Sequence, residues 1–273
     1  MSGQGSARHA GGADEPGGTG SERWPRRRRD ALRVLLLGGF RLQVDDGSAD
    51  LPTAPQRMVA LLALRGAMSR SRLAGTLWPE TPEQRALASL RTGIWRTNQA
   101  ADQLVVCHGG MVDLGAHVDV DTRRFVAESL HLMEAAEVSL GATGLSVDDL
   151  VGENELLPDW EDEWLVAERE RLRQLRLHVL EAVAARFCAS GEYGLAVEAA
   201  LAAVRIDPLR ESAHRAVIRV HLAEGNVVEA RRALASCRST LRREVGVDVS
   251  PETLQLVGAE PPHARALAVP ARR

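Results

Sequence analysis

The chain contains no lysine; all 34 of its Lys+Arg positions, among 273 residues, are arginine. A Walker A phosphate loop and a Schiff-base lysine both need the amine, so neither chemistry is open to it. Aromatic residues are only 3% of the chain, and Leu, Val and Ala must therefore fill the core. At 45% apolar content there are enough of them, and the length allows about two domains. Cysteines are sparse and odd in number. Cys107, Cys188 and Cys237 lie far apart with no CxxC pair, which argues for a reducing compartment and against a disulfide framework. The eight histidines show no metal-ligand spacing. His214 and His221 are seven apart on a helical pattern, but no carboxylate or Cys completes a site, and no metal or cofactor is expected. There is no Gly-rich phosphate loop and no Ser/His/Asp constellation. The acids Asp159, Glu161, Asp162 and Glu163 read as a solvated, helix-starting cluster suited to the positive helix N-terminus, so no enzyme is expected.

Long apolar runs are absent too. None approaches the ~18 residues that a membrane span needs. The run Arg26-Arg27-Arg28-Arg29 ahead of an apolar stretch resembles an export signal. Arg33 interrupts that stretch, Arg41 ends it, and no small-residue cleavage site follows. The expectation is a cytoplasmic protein without membrane contact. Its basic run is a solvated tail or an arm adding phosphate contacts.

Charge of one sign is scarce in neither half, yet the balance shifts along the chain. Residues 1–118 carry 15 Arg against 11 acids, and residues 119–273 carry 19 Arg against 26 acids. A mildly basic front and an acidic rear fit a nucleic-acid reader joined to a protein-contacting module. Residues 1–30, rich in Gly, Ser and charge, are expected to be a disordered tail, and residues 258–273 another.

Between the tails the pattern divides at about residue 118. Leu32 to Leu37 and Phe40 to Val44 read as strands, with a turn at Asp45-Asp46-Gly47. Thr53-Ala54-Pro55-Gln56 has capping-box spacing and starts a helix running to Arg65, ended by Gly66. Ser69 caps a second helix carrying Leu73 and Leu77, stopped by Trp78-Pro79. Thr81-Pro82-Glu83-Gln84 has the same box spacing and opens a third helix, with Leu87, Leu90 and Ile94 as its buried stripe. Arg85, Ser89, Arg91, Thr92, Trp95 and Arg96 then point outward, with Glu83 the only acid. That inventory suits a major groove: Arg for guanine edges or phosphates, hydroxyls for phosphates, a ring for apolar contact. Taken alone, such a helix is equally an ordinary amphipathic one with solvated arginines. Its place in the order changes the reading. A hairpin follows, Leu104 to Cys107 and Met111 to Leu114 around His108-Gly109-Gly110. Hairpin, three helices, hairpin is the order of a winged helix-turn-helix (residues 31–118), whose third helix enters the groove.

Residues 119–257 read as all helical. Asp121 to about Glu137 is one helix, a Gly/Ser/Asp-rich connector follows, and Asp159 opens a long helix to about Ser190. Trp160 and Trp164 share a face of it and read as packing within the fold, with an aromatic anchor for a partner as the other reading. Gly191, Tyr193, Ala196, Ala200 and Ala203 return 34 residues later as Gly225, Val227, Ala230, Leu234 and Cys237, the period of tetratricopeptide units. Cys237 thereby falls at a small-residue packing position. The fold class expected is mainly α with small β: a winged helix-turn-helix domain followed by an all-α tetratricopeptide-like domain.

Several strings together resemble the small antibiotic regulatory proteins of actinobacteria (the SARP type). They are residues 37–42, Pro55-Gln56-Arg57, Leu73-Ala74-Gly75-Thr76-Leu77-Trp78-Pro79, residues 88–96, Leu156-Leu157-Pro158-Asp159-Trp160, residues 168–176, 207–215 and 222–226. Those proteins join a response-regulator-type winged helix to a bacterial transcriptional activation domain. The resemblance covers roughly residues 32–257. It implies an activator that binds direct repeats of double-stranded DNA as a homodimer, contacts RNA polymerase and uses its rear domain for dimerisation and activation. In response-regulator winged helices the loop before the third helix can touch polymerase, which makes Glu80 a candidate contact, with an ordinary surface-loop role as the other reading. Two departures stand out. Thr97-Asn98 stands where relatives carry Leu, which weakens the end of the apolar stripe, and Met111 with Asp113 leaves the wing short of positive charge. The competing reading is a tetratricopeptide adaptor whose front module binds protein rather than DNA.

Overall fold

The computed structural model describes residues 31–134 and 154–258. The expected tails and the Gly/Ser/Asp-rich connector lie outside the described residues.

Strand β1 (Leu32–Leu35) pairs antiparallel with β2 (Arg41–Val44), and the turn at Asp45-Asp46 leads into β3 (Gly47–Ala49), a strand whose small residues give no sequence signal. Strand β7 (Val118–Val120) returns to lie parallel beside β1, Leu32 opposite Val118, giving the order β3-β2-β1-β7. Helix α1 (Thr53–Arg65) has six consecutive buried residues, Met58 to Ala63. A helix apolar on all sides has to be covered on all sides, and α1 touches α2, α3, β6 and the first rear helix.

Helix α2 (Arg70–Leu77) follows the short strand β4 (Met68–Ser69), and Ser69 caps it as expected, its side chain accepting from the Arg72 N–H at 3.3 Å. The two capping boxes do not form. Pro52 is the N-cap of α1 and Pro82 that of α3 (Glu83–Ala100), both without a side-chain cap. Their extended ψ places the helix start one residue after each proline. The Pro82 carbonyl accepts from Arg85 and Ala86, and Gln56 Nε2 donates to the Leu51 carbonyl at 2.7 Å. Strands β5 (Val105–His108) and β6 (Met111–Leu114) form the wing, and β4 pairs with β6. Its two-residue turn has φ of +56° at Gly109 and +82° at Gly110, the double left-handed geometry that makes glycine the suitable residue at both places.

Behind the wing come α4 (Asp121–Glu134), α5 (Glu163–Ala189), α6 (Tyr193–Ile206), α7 (Glu211–Glu224), α8 (Val227–Val245) and α9 (Pro251–Gly258). The long helix starts at Glu163, four residues later than the sequence pattern implies. The residues before it form a strap instead. Leu156 bridges to Leu37, the Leu157 N–H donates to the Leu36 carbonyl at 3.0 Å and the Gly38 N–H to Glu155 at 2.8 Å. Arg169 fixes the strap from behind by donating to the carbonyls of Leu156, Leu157 and Trp160. Trp160 stacks on Phe40 of the front, ring centroids 6.1 Å apart, so both tryptophans serve packing. The 34-residue repeat is visible in the backbone. Gly191 and Gly225 turn with φ of +81° and +87°, Ala196 and Ala230 are fully buried, and Cys237 occupies the place of buried Ala203.

Candidate nucleic-acid interface

Helix α3 lies on the core through Ala86, Leu90, Gly93 and Thr97, all buried. The expected stripe is therefore rotated slightly: Leu90 is central, while Leu87 and Ile94 are half-buried at its margin. Arg85, Ser89, Arg91, Thr92, Trp95 and Arg96 are all exposed. At about 100° per residue they fan over roughly 160° of the helix surface, away from the buried line. Trp95 is 62% exposed, an unusual position for a ring that size. Of the two hydroxyls, Thr92 bonds the Ala88 carbonyl one turn back at 3.2 Å.

The polar end of α3 is not a weak end. Thr97 is fully buried and satisfies its hydroxyl on the Gly93 carbonyl at 2.8 Å. Asn98 Nδ2 donates to the Val105 carbonyl at 2.8 Å, and its Oδ1 accepts from the Val105 N–H at 2.9 Å. One side chain thus occupies both backbone groups of the first wing strand, as a neighbouring strand would. The apolar stripe does give way to polar side chains at Thr97-Asn98, and the carboxamide supplies two directed bonds in place of apolar contact. Sequence reasoning missed this role. The signal available was a lone amide at a core-margin position seven residues before a strand. The wing tip itself presents His108 and Met111, both exposed and neither a strong cation.

The loop between α2 and α3 closes through the Thr81 N–H on the Trp78 carbonyl at 3.1 Å, leaving Glu80 exposed. On another side of the front module, the rear helices are fastened by charge. Arg57 donates to Asp162 from both Nε, at 2.7 Å, and Nη2, and Asp162 also accepts from Trp164 Nε1 at 3.0 Å. Asp162 is thus bound to the front module rather than solvated with its acidic neighbours, because Arg57 of α1 and the Trp164 indole both donate to it. Arg65 reaches Glu168 and the Trp164 carbonyl, and Arg123 of α4 bonds the last carbonyls of α1, Leu62 and Ala63.

The remaining polar candidates are structural. His214 is buried with Nε2 2.9 Å from the Pro208 carbonyl, and no group of three metal-ligating side chains occurs among the described residues. Cys237 is buried, and desolvation pushes its thiol up to about 11, far from a reactive thiolate. Among the described residues no helix is long and apolar enough to cross a membrane.

A winged helix joined to stacked helical hairpins is an architecture of transcriptional regulators. The family model of the bacterial transcriptional activator domain matches residues 121–259, and the chain belongs to that family. Regulatory protein AfsR of Streptomyces griseus is 29% identical over 242 residues, covering 83% of this chain and 24% of that protein. A solved structure, Mycobacterium tuberculosis EmbR in complex with a low-affinity phosphopeptide, shares the fold with a TM-score of 0.70 at 19% identity, covering 84% of this chain and 64% of that one. This chain thus spans about a quarter of AfsR's length. The matched residues make up the rear part of the chain, and the winged helix stands ahead of them.

Proposed function

We propose that the chain is an activator that reads double-stranded DNA with α3 in the major groove. The observation that carries this reading is the uncovered arc of α3, with three guanidinium groups, two hydroxyls and a mostly exposed indole around one acid at the helix start. Arg91 and Arg96 lie on either side of Trp95 and are the candidates for bidentate contact to guanine; Arg85, Ser89 and Thr92 face phosphates. The wing tip, with His108 and Met111, adds little positive charge. By resemblance, it binds direct repeats as a homodimer, with Glu80 in the loop before α3 turned toward RNA polymerase.

The test begins with genomic fragments captured on the purified chain and sequenced, which yields the operator. Arg91→Ala and Arg96→Ala are then titrated against it. Each is expected to weaken specific binding by about 1–3 kcal/mol and to relax preference at one base position. Unchanged affinity in both variants refutes the placement, and capture that enriches no sequence favours the adaptor reading.

A further inference from the structure

A cavity of about 600 Å³ opens where the exit of the first sheet meets α4, α5 and α6. Its walls are mostly apolar, including Leu37, Phe125, Val166 and Ile206. Four guanidinium groups line it, Arg169, Arg173, Arg176 and Arg205, against two carboxylates, Glu155 and Glu170. Both carboxylates are engaged: Glu155 lies 3.7 Å from Arg169, and Glu170 lies 2.9 Å from Arg173, which also reaches Asp207 at 3.0 Å. Among the lining side chains guanidinium groups outnumber carboxylates, around an oily space.

Arg176 is 9% exposed, its guanidinium carbon 5.2 Å from the centroid of Phe125, and it donates to the Asn154 carbonyl at 3.2 Å. Burial pushes its pKa down, the direction expected of a cation held in a dry site, although an arginine stays charged there. Arg205 is exposed at the rim and makes no hydrogen bond or ion pair with the described residues. A guanidinium fork is matched in shape by a carboxylate, and the volume falls within the ~300–1,000 Å³ range of small-molecule sites.

We propose that this cavity binds a small amphipathic organic anion, its apolar body against Phe125 and the aliphatic wall and its carboxylate at the arginine rim, Arg205 foremost. Because Leu37 lies just past β1 of the front part and the other walls belong to the segment before α5 and to α4, α5 and α6, an occupant touches both parts of the chain at once.

The probe is dodecanoate, below its micellar concentration, titrated calorimetrically into the full chain, with dodecanol and acetate as the tail-only and head-only comparisons. Saturable binding at one site is expected, at least about tenfold tighter than either comparison, since a charge-assisted pair at ~1.4 kcal/mol corresponds to tenfold. Arg205→Gln should reduce dodecanoate affinity toward that of dodecanol, and Arg205→Lys should restore part of it. Val166→Trp, at an exposed wall position, should block the mouth and weaken dodecanoate and dodecanol alike. Both sites are exposed, and circular dichroism establishes that the variants remain folded. Absence of saturable binding, equal affinity for dodecanol, or indifference to both Arg205→Gln and Val166→Trp overturns the proposal. None of these measurements involves DNA, so they stand apart from the test of α3.

Discussion

Replacing Asn98 by alanine removes the one side chain that joins the end of α3 to the wing. Its carboxamide makes two hydrogen bonds to Val105, at 2.8 and 2.9 Å, and Val105 is 2% exposed. An ordinary hydrogen bond contributes about 0.5–1.5 kcal/mol net, which sets about 1–3 kcal/mol for the pair. The Val105 N–H and C=O are aimed at Asn98 rather than at β6, so alanine leaves both without a protein partner. An orphaned buried group costs about 1–3 kcal/mol. The expected loss is therefore in the upper part of the range, about 2–3 kcal/mol, measured as a shift of the urea midpoint at unchanged slope. Asn98→Asp is the sharper probe. It keeps an acceptor for the Val105 N–H but sets a carboxylate against the Val105 carbonyl, so at pH 7 it should be at least as destabilising as alanine. If Asn98→Ala lies within about 0.5 kcal/mol of the parent, the typical range of a surface substitution, the two-bond clasp contributes nothing and the reasoning fails.

Arg57→Ala should cost about 1–3 kcal/mol, because Asp162, with a side chain 9% exposed, keeps only Trp164 Nε1 as a side-chain donor; equilibrium unfolding measures it. Gly93→Ala should stabilise by about 0.5–1 kcal/mol, since a Cβ there meets Met58 Sδ at 3.7 Å, an ordinary contact inside a helix; a lowered melting temperature would contradict the packing. Thiol labelling should modify exposed Cys107 first, while Cys237 reacts only on unfolding, as its burial and raised pKa require. Glu211 is raised by desolvation, but bonds from Ser250 and Thr253 outweigh this and leave its carboxyl below the ordinary 4.5. A depressed carboxylate stabilises fully above its unfolded value, and that contribution is lost as pH falls through the folded one. Attachment of α9 to α7 should thus weaken on acidification below about pH 4.5, and Glu211→Gln should flatten that dependence in a titration of the unfolding midpoint.

Elements with a strong local signal were legible in the sequence, and those defined by distant partners were not. The three front helices, the wing with its Gly109-Gly110 turn and the 34-residue recurrence all follow from periodicity and turn chemistry. Strand β3 has no such signal, because Gly47, Ser48 and Ala49 become a strand only by lying beside β2. Asp159 to Asp162 read as the first turn of the long helix, since their acids and the Trp160-x-x-x-Trp164 spacing fit one, yet the helix starts at Glu163. Pairing of the residues just before them with Leu36 to Gly38, the Arg169 bonds and a turn closed by the Trp160 N–H on the Leu157 carbonyl keep them out of the helix. The capping boxes failed for a related reason, as a proline one residue away fixed where each helix could begin. For the candidate interface, side-chain type and spacing placed all six outward residues on exposed positions, yet they could not indicate that a buried amide anchors the same helix.

The distribution of contacts explains how front and rear can be fastened together while α3 keeps one face uncovered. Among the described residues, the ties from front to rear include the Leu37–Leu156 bridge, the Phe40–Trp160 stack, the Asp162 and Glu168 pairs of Arg57 and Arg65 on α1, and Arg123 of α4 on the last carbonyls of α1. Helix α3 packs on α1, α2 and β5, and its six outward residues stay exposed while the rear helices are docked. An interface already open in the docked arrangement needs no domain opening before it meets a partner. Mutations that weaken the Asp162 clasp should therefore lower stability while leaving groove contacts by α3 intact, and mutations on α3 should do the reverse. A double-mutant cycle between Arg57→Ala and Arg96→Ala tests this directly. Effects on stability and on DNA affinity that add within about 0.5 kcal/mol are expected for sites that share no partner, and a larger coupling would show that docking and reading are one event.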